Sequence, residues 1–143
     1  IVTGSARGIG RAICEKLAKD GVENIVVCDV KAEWCEETVE ALKALGANAI
    51  AMEINVAEAA SIDAGVDAVI KQFGTIDICV NNAGIVALVP TSFITMEKIA
   101  KMQQINLNAP MLLTKLLTKK KKLNKATENT KNNDMITIPT TSI

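Results

Sequence analysis

The chain has 143 residues, a formal net charge of zero and a hydrophobic content of 49%. This length suits one domain with a buried core, and the charge balance argues against a disordered or general nucleic-acid-binding protein. No apolar run approaches the ~20 residues of a membrane-spanning helix, and no leader pattern stands at the front. We therefore expect a globular cytoplasmic protein that binds neither nucleic acid nor membrane.

The chain has four cysteines, Cys14, Cys28, Cys35 and Cys79, and no histidine or tyrosine. Each cysteine lies in an apolar stretch and none belongs to a CxxC pair, so we predict buried free thiols and no metal site. Acid–base chemistry would have to come from Asp, Glu or Lys, or from residues outside this segment.

Predicted strands and helices alternate along the chain. The apolar patterns predict strands at 1–3, 24–30, 49–54, 76–82 and 135–138, and helices at 8–20, 32–45, 57–73 and 95–120, the last with a kink at Pro110. Such alternation is typical of βαβ units with right-handed crossovers. We expect an α/β fold with a Rossmann-like, doubly wound parallel sheet that stops after its fifth strand. A lysine run at 119–122 follows the last helix, and its lack of aromatic neighbours favours a solvated helix end over a nucleic-acid contact.

The turn after the first strand is poor in side chains. Gly4, Gly8 and Gly10 lie between a strand and a helix start, where backbone N–H groups and the helix dipole attract phosphates. We interpret this turn as the seat of a dinucleotide's diphosphate, with tight turns and close helix packing as the alternative explanation of the glycines. Asp29 follows about 20 residues after Gly10, the interval of a carboxylate that binds the adenosine ribose; the alternative is a polar residue that caps the strand.

Four stretches in chain order resemble the motifs of the short-chain dehydrogenases/reductases. They are TGSARGIG from Thr3 to Gly10, INV from Ile54 to Val56, NNAG from Asn81 to Gly84, and INLNAP from Ile105 to Pro110. The resemblance implies the N-terminal portion of an oxidoreductase that interconverts an alcohol and a carbonyl with NAD(P)(H). Among subgroups, the chain most resembles the 3-oxoacyl-acyl-carrier-protein reductases. The family likeness also implies that the parent forms a homo-oligomer, a dimer or a tetramer.

The resemblance implies a role for individual residues of these motifs. The implied cofactor-binding residues are Gly4, Ser5, Arg7, Gly8, Ile9 and Gly10 at the phosphates, Asp29 at the ribose hydroxyls, Asn55 and Val56 at the adenine, and Asn82, Ala83 and Gly84 at the nicotinamide ribose. The implied catalytic residues are Asn106 and Thr140.

The chain departs from the family pattern near its end. Thr140 stands where the family has a catalytic serine, directly after Pro139, and Ser142 is a second candidate two positions later. The family also needs a YxxxK pair on the next helix, and this chain has no tyrosine. We therefore expect residues 1–143 to form an incomplete dinucleotide-binding domain without useful turnover of its own. The alternative is a truncated relative that binds a dinucleotide without catalysis.

The choice of cofactor depends on charges beside the ribose. Asp29 repels a 2′-phosphate and favours NAD(H), whereas Arg7 attracts that phosphate and keeps NADP(H) possible. Lys31 offers a second cation nearby, and Trp34 either borders the adenine or packs as a partly exposed residue. On balance the sequence favours NAD(H).

Overall fold

The computed structural model describes residues 1–127 and 136–139, with side chains for residues 1–120. The strands are β1 (Val2–Thr3), β2 (Asn24–Asp29), β3 (Asn48–Glu53), β4 (Ile78–Asn81) and β5 (Ile136–Pro139), and the α-helices are α1 (Gly8–Lys19), α2 (Glu36–Ala44), α3 (Ala59–Phe73), α4 (Met96–Gln103) and α5 (Ala109–Thr127).

The described strands form one parallel sheet in the order β3-β2-β1-β4-β5. The chain moves outward from β1 to β2 and β3, and then crosses to the other side of β1 to form β4. Val2 of β1 pairs with Val27 on one side and with Val80 on the other. The doubly wound Rossmann-like fold predicted from the sequence is thus confirmed, and the reversal of strand order falls between β1 and β4.

Helices cover both faces of this sheet. One core contains Cys14 of α1 and Leu42 of α2, and the other contains Val66 of α3 and Leu113 of α5. Residues of β2 alternate between the two cores: Ile25 and Val27 face the first, and Val26 and Cys28 face the second. A strand buried on both faces reads as a continuous apolar run, which is why this segment shows no polar alternation.

The predicted helix at 32–45 forms in two parts. Residues Ala32–Cys35 make a 3₁₀ turn, and α2 begins only at Glu36. The predicted helix at 57–73 likewise begins two residues late, at Ala59. Asn55 explains the delay: its side-chain oxygen accepts a bond from the backbone N–H of Ala57 at 3.1 Å. Such a local bond replaces the first helical turn.

The predicted long helix at 95–120 is also broken. It consists of α4, a π-helical stretch at Gln104–Asn108 and α5. Pro110 has no N–H and cannot supply the bond that an α-helix would give to the carbonyl of Asn106. The wider π turn, in which the N–H of Ala109 bonds the carbonyl of Gln104, accommodates this gap. The predicted disturbance at Pro110 is therefore a π turn that precedes the proline.

Helix α5 extends to Thr127, so the lysine run at 119–122 lies inside the helix rather than after it. Lys120 reaches across to α3 and donates to Asp63 at 2.9 Å and to Asp67 at 2.5 Å. Burial lowers the pKa of Lys120, but the hydrogen bonds to Asp67 and Asp63 have the larger combined effect, so its pKa is raised. These ion pairs connect α3 to α5. Among the described residues, no helix is both long and apolar enough to cross a membrane.

The four cysteines are free and buried, as the sequence predicts. Burial raises the pKa of Cys14, Cys35 and Cys79 from the ordinary 9.0 to about 11, and that of Cys28 further still. Desolvation is the first cause in each case, since an apolar environment disfavours the thiolate.

We expect the thiols of the folded chain to resist alkylation by iodoacetamide near neutral pH. A thiol with a pKa of about 11 instead of 9.0 has about a hundredfold less thiolate at neutral pH. The measurement is the rate of mass gain with and without urea, and rapid labelling of the folded chain would contradict the assigned core. Because the folded chain holds these protons more tightly than the unfolded one, its free energy of unfolding should fall as the pH rises from about 9 to about 11.

Candidate functional site

The candidate site lies where β1 and β4 end side by side. Both are parallel strands, so the turn after β1 and the loop after β4 meet at the carboxyl edge of the sheet. This edge, at the reversal of strand order, is where open α/β sheets bind ligands. A separate cavity of about 300 Å³, lined by Leu17, Phe73 and Ile78 among others, lies at the opposite edge of the sheet.

The glycines of the opening turn have different structural tasks. Gly4 has a φ of +63°, and a Cβ added there would lie 2.8 Å from the Cα of Ala83. A Cβ on Gly10 would collide with the carbonyl oxygen of Gly4 and lie 2.7 Å from the Cα of Ser5. Gly8 has a φ of +60° and open space around it. Two glycines therefore permit close packing, and Gly8 leaves the entrance to α1 bare.

The start of α1 offers uncompensated positive character. Its N-cap residue, Arg7, makes no side-chain capping bond, and its first turn holds no acidic residue. Helix N-terminal N–H groups without a side-chain acceptor are suited to an anion. Ile9, in the same turn, is 71% exposed, which leaves an apolar side chain available beside this edge.

The side chain of Ser5 holds the turn in place. It is fully buried, and its hydroxyl donates to the carbonyl of Val2 at 2.7 Å and accepts from the N–H of Cys28 at 3.0 Å. These bonds attach the turn to β2 and occupy the hydroxyl. The hydroxyl therefore shapes the turn from beneath, and the placement of Ser5 at the phosphates stays a prediction.

The carboxylate of Asp29 faces the same turn. One oxygen accepts from the backbone N–H of Ala6 at 3.2 Å, and the other accepts from the N–H of Val30 at 2.9 Å. Thr38 of α2 holds the turn from the far side by donating to the carbonyl of Ala6 at 2.8 Å. Asp29 is only partly buried, and each oxygen retains capacity to accept a further bond.

Thr3 and Asn82 join the two loops. The hydroxyl of Thr3 donates to the carbonyl of Val80 at 3.3 Å and accepts from the N–H groups of Asn82 and Ala83, both at 3.1 Å. The amide of Asn82 donates to the carbonyls of Thr3 at 3.0 Å and Gly4 at 2.9 Å. The sequence singled out Asn82 as a ligand contact but assigned no role to Thr3. The position of this threonine at the end of β1 was the signal that could have indicated its bonding role.

Asn55 and Val56 lie at the carboxyl end of β3. The amide nitrogen of Asn55 donates to Glu58 at 2.6 Å, and its backbone N–H donates to Ser61 at 2.9 Å. Val56 is buried in the core of α3 and α5. The structure thus places both residues at the correct edge, and their contact with an adenine stays a prediction.

Asn106 lies in the π-helical stretch and is bound to the loop after β4. Its side-chain oxygen accepts from the N–H of Ile85 at 2.9 Å, and its nitrogen donates to the carbonyl of Ile85 at 2.8 Å. Gly84 is exposed directly before this contact. Asn106 is therefore brought to the site, with its side chain occupied in positioning the loop. Thr140 and Ser142 lie outside the described residues.

Comparison with known proteins decides the family. A model of the short chain dehydrogenase family matches residues 1–129. The chain belongs to the short-chain dehydrogenase family. The resemblance recognised from the four motifs is thereby confirmed.

Two curated relatives and one solved structure illustrate this membership. The chain is 44% identical over 85 residues to the 3-oxoacyl-[acyl-carrier-protein] reductase FabG of Staphylococcus aureus, covering 59% of this chain and 35% of the relative. It is 37% identical to galactitol 2-dehydrogenase of Agrobacterium fabrum, covering 82% and 44%. A short-chain dehydrogenase of Burkholderia cenocepacia, solved in complex with NADP, is 34% identical with a TM-score of 0.76, covering 82% and 48%. The chain thus spans less than half the length of each of these relatives.

The Thr3 hydroxyl provides a direct test of the junction between the loops. We expect Thr3→Val to lower the free energy of unfolding by about 1–3 kcal/mol, because it leaves the N–H groups of Asn82 and Ala83 without their acceptor in a buried place. Thr3→Ser keeps the hydroxyl and is the matched control. Urea denaturation measures both variants, and equal losses for valine and serine would contradict the assigned bonds.

Proposed function

We propose that this chain is the cofactor-binding part of an NAD(P)(H)-dependent oxidoreductase that interconverts an alcohol and a carbonyl. The observation that carries the proposal is the bare, uncapped start of α1 beside the Asp29 carboxylate, at the reversal of strand order. Family membership supports it, as does the NADP in the Burkholderia relative.

The residues present fit a nicotinamide dinucleotide. Gly8 leaves room for a diphosphate against the N-terminus of α1, and the free acceptor capacity of Asp29 suits the ribose hydroxyls. Gly4 and Gly10 let the two loops approach closely, so that Asn82 and Ala83 lie next to the turn, with Gly84 following them in the chain. When bound, the cofactor supplies hydride transfer. The chain's own contribution is to bind it and fix its orientation.

The proposed role of Asn106 is to position the loop after β4, which borders the reaction site. Its two bonds to Ile85 hold the loop after β4 against the π-helical stretch. Pro110 enforces the irregular turn from which Asn106 projects. Together they keep the proposed nicotinamide side of the edge rigid. Thr140 is the proposed hydroxyl that polarises the substrate carbonyl.

The proposed substrate is a small carbonyl compound or its alcohol. A 3-oxoacyl thioester is the more specific proposal, supported by the 44% identity to the Staphylococcus aureus reductase. For the cofactor we favour NAD(H), since the Asp29 carboxylate would repel a 2′-phosphate. We further propose that the 143-residue chain binds the cofactor without useful turnover.

Self-association is a further part of the proposal. Leu107 and Met111 leave apolar side chains 56% and 65% exposed around the start of α5. Apolar surface of this kind on a helix favours contact with another subunit. We propose that the complete protein forms a dimer or a tetramer.

Cofactor binding to the 143-residue chain tests the proposal. We expect calorimetry to show NADH binding more tightly than NADPH. Asp29→Asn should weaken NADH binding about tenfold, because a charged acceptor is lost from the ribose, and should narrow the difference between the cofactors. Asp77→Asn removes the same charge from the opposite edge of the sheet and should change neither affinity.

Two results would contradict this proposal. A folded chain that binds neither cofactor would overturn the assigned site. Tighter binding of NADPH than of NADH would leave the site in place and overturn the preference for NAD(H). Hydride transfer is followed separately, from the absorbance of NADH with reactive carbonyls, and substantial turnover by the 143-residue chain would overturn the expectation of binding alone.

A further inference from the structure

The side chain of Gln104 connects two separate parts of the candidate site. Gln104 is the first residue of the π-helical stretch that also contains Asn106. Its Nε2 donates to the carbonyl of Ala57 at 3.2 Å, across 47 positions of the chain. Its Oε1 accepts from the Nδ2 of Asn108 at 3.0 Å. Both polar atoms of this partly buried amide therefore have partners within the protein, and one of these partners belongs to the loop after β3.

Ala57 lies in the segment that is proposed to contact the adenine. We call residues 55–58 the adenine segment. The side-chain oxygen of Asn55 accepts from the N–H of Ala57 at 3.1 Å, and the carbonyl of Asn55 accepts from the N–H of Glu58 at 3.0 Å. Ala57 is thus held at its N–H by Asn55 and at its carbonyl by Gln104. A ligand that orders Asn55 therefore also orders the carbonyl that Gln104 binds.

On its other side, Gln104 belongs to the turn that positions the loop after β4. Its carbonyl accepts from the N–H of Ala109 and closes the π turn. Two residues after Gln104, the side chain of Asn106 makes both of its bonds to the backbone of Ile85. Hydrogen bonds therefore lead from the adenine segment through Gln104 and the π turn to the loop after β4.

The bond of Gln104 adds direction to an apolar contact between the same two segments. Val56 and Ile105 are buried in one hydrophobic core. Hydrophobic packing is not directional, so this contact brings the segments together without fixing their relative orientation. The bond from Gln104 to the Ala57 carbonyl requires one alignment of donor and acceptor.

We propose that Gln104 is a positioning residue that couples the adenine segment to the loop after β4. This inference rests on the proposed function, because the adenine segment must bind the nucleotide for the coupling to act. An adenine that orders this segment fixes the Ala57 carbonyl. Gln104 then holds the π-helical stretch in one arrangement, and Asn106 holds the backbone of Ile85. By thermodynamic linkage, order in the loop after β4 strengthens adenine binding by the same factor. The adenine half of the cofactor thereby prepares the part of the edge that is proposed for the nicotinamide.

The experiment measures hydrogen exchange of the Ile85 amide by NMR, with and without saturating AMP. AMP is the probe because it carries the adenine half of the cofactor without the nicotinamide half. We expect AMP to slow this exchange about fivefold in the unmodified chain, a modest coupling between two sites. Gln104→Glu replaces the donor to Ala57 with an oxygen and should remove most of the effect. Gln103→Glu makes the same change at the neighbouring, exposed glutamine and should retain the effect.

Two further variants separate coupling from a general loss of structure. Gln104→Ala removes the amide without adding charge and should also lose the AMP effect, whereas Gln104→Lys keeps an N–H donor of sufficient length and should retain most of it. Saturation is checked in each variant from the amide shifts of Asn55 and Val56, so that weaker binding is not mistaken for lost coupling. A purely structural role would change the exchange rate at Ile85 equally with and without AMP, and the ratio of the two rates would stay as in the unmodified chain.

The outcomes separate this inference from the proposed function. If AMP binds without slowing exchange at Ile85, or slows it equally in Gln104→Glu, the inference fails while the site stands. If NADH binds and AMP does not, the adenine segment has no binding of its own to pass on, and the inference again fails alone. If the folded chain binds neither AMP nor NADH, the proposed function fails and the inference with it. Loss of the AMP effect in Gln104→Lys would overturn the role given to the donated bond.

Discussion

The junction between the ends of β1 and β4 is the constraint on which the site depends. The Thr3 hydroxyl and the Asn82 amide connect the turn after β1 to the loop after β4 through bonds of 2.9–3.1 Å. The junction closes only because Gly4 and Gly10 have no Cβ. A glycine-rich motif is usually explained by its ligand, but here packing within the chain already requires two of its glycines. Gly8 has open space around it, so packing does not explain it.

The chain's periodicity predicted the sheet and its helices because each element buries a continuous apolar face. The end of each element was harder to predict, since polar side chains decide it. Asn55 delays α3 through a bond to Ala57, and Pro110 converts a helical turn into a π turn. Neither effect has a hydrophobic period, so a pattern of apolar residues cannot reveal it.

The candidate site was predictable in place but not in detail. The motif residues at β1, β2, β3 and β4 all reach one edge of the sheet, as the alternation of strands and helices requires. The direction of some side chains depends on partners far away along the chain. Ser5 accepts a bond from Cys28, and Asn106 accepts one from Ile85, which no local pattern could show. Arg7 and Lys31 are separated in sequence, and only the fold brings them to the indole ring of Trp34.

Trp34 has a spectroscopic consequence. The chain contains one tryptophan and no tyrosine, so its near-ultraviolet absorption and intrinsic emission arise almost entirely from one partly exposed indole. The two hydrophobic cores contribute little to the absorption or the emission. Emission from this protein therefore reports the surroundings of a single partly exposed ring. A change in core packing would leave the emission unchanged unless it altered the surroundings of that ring.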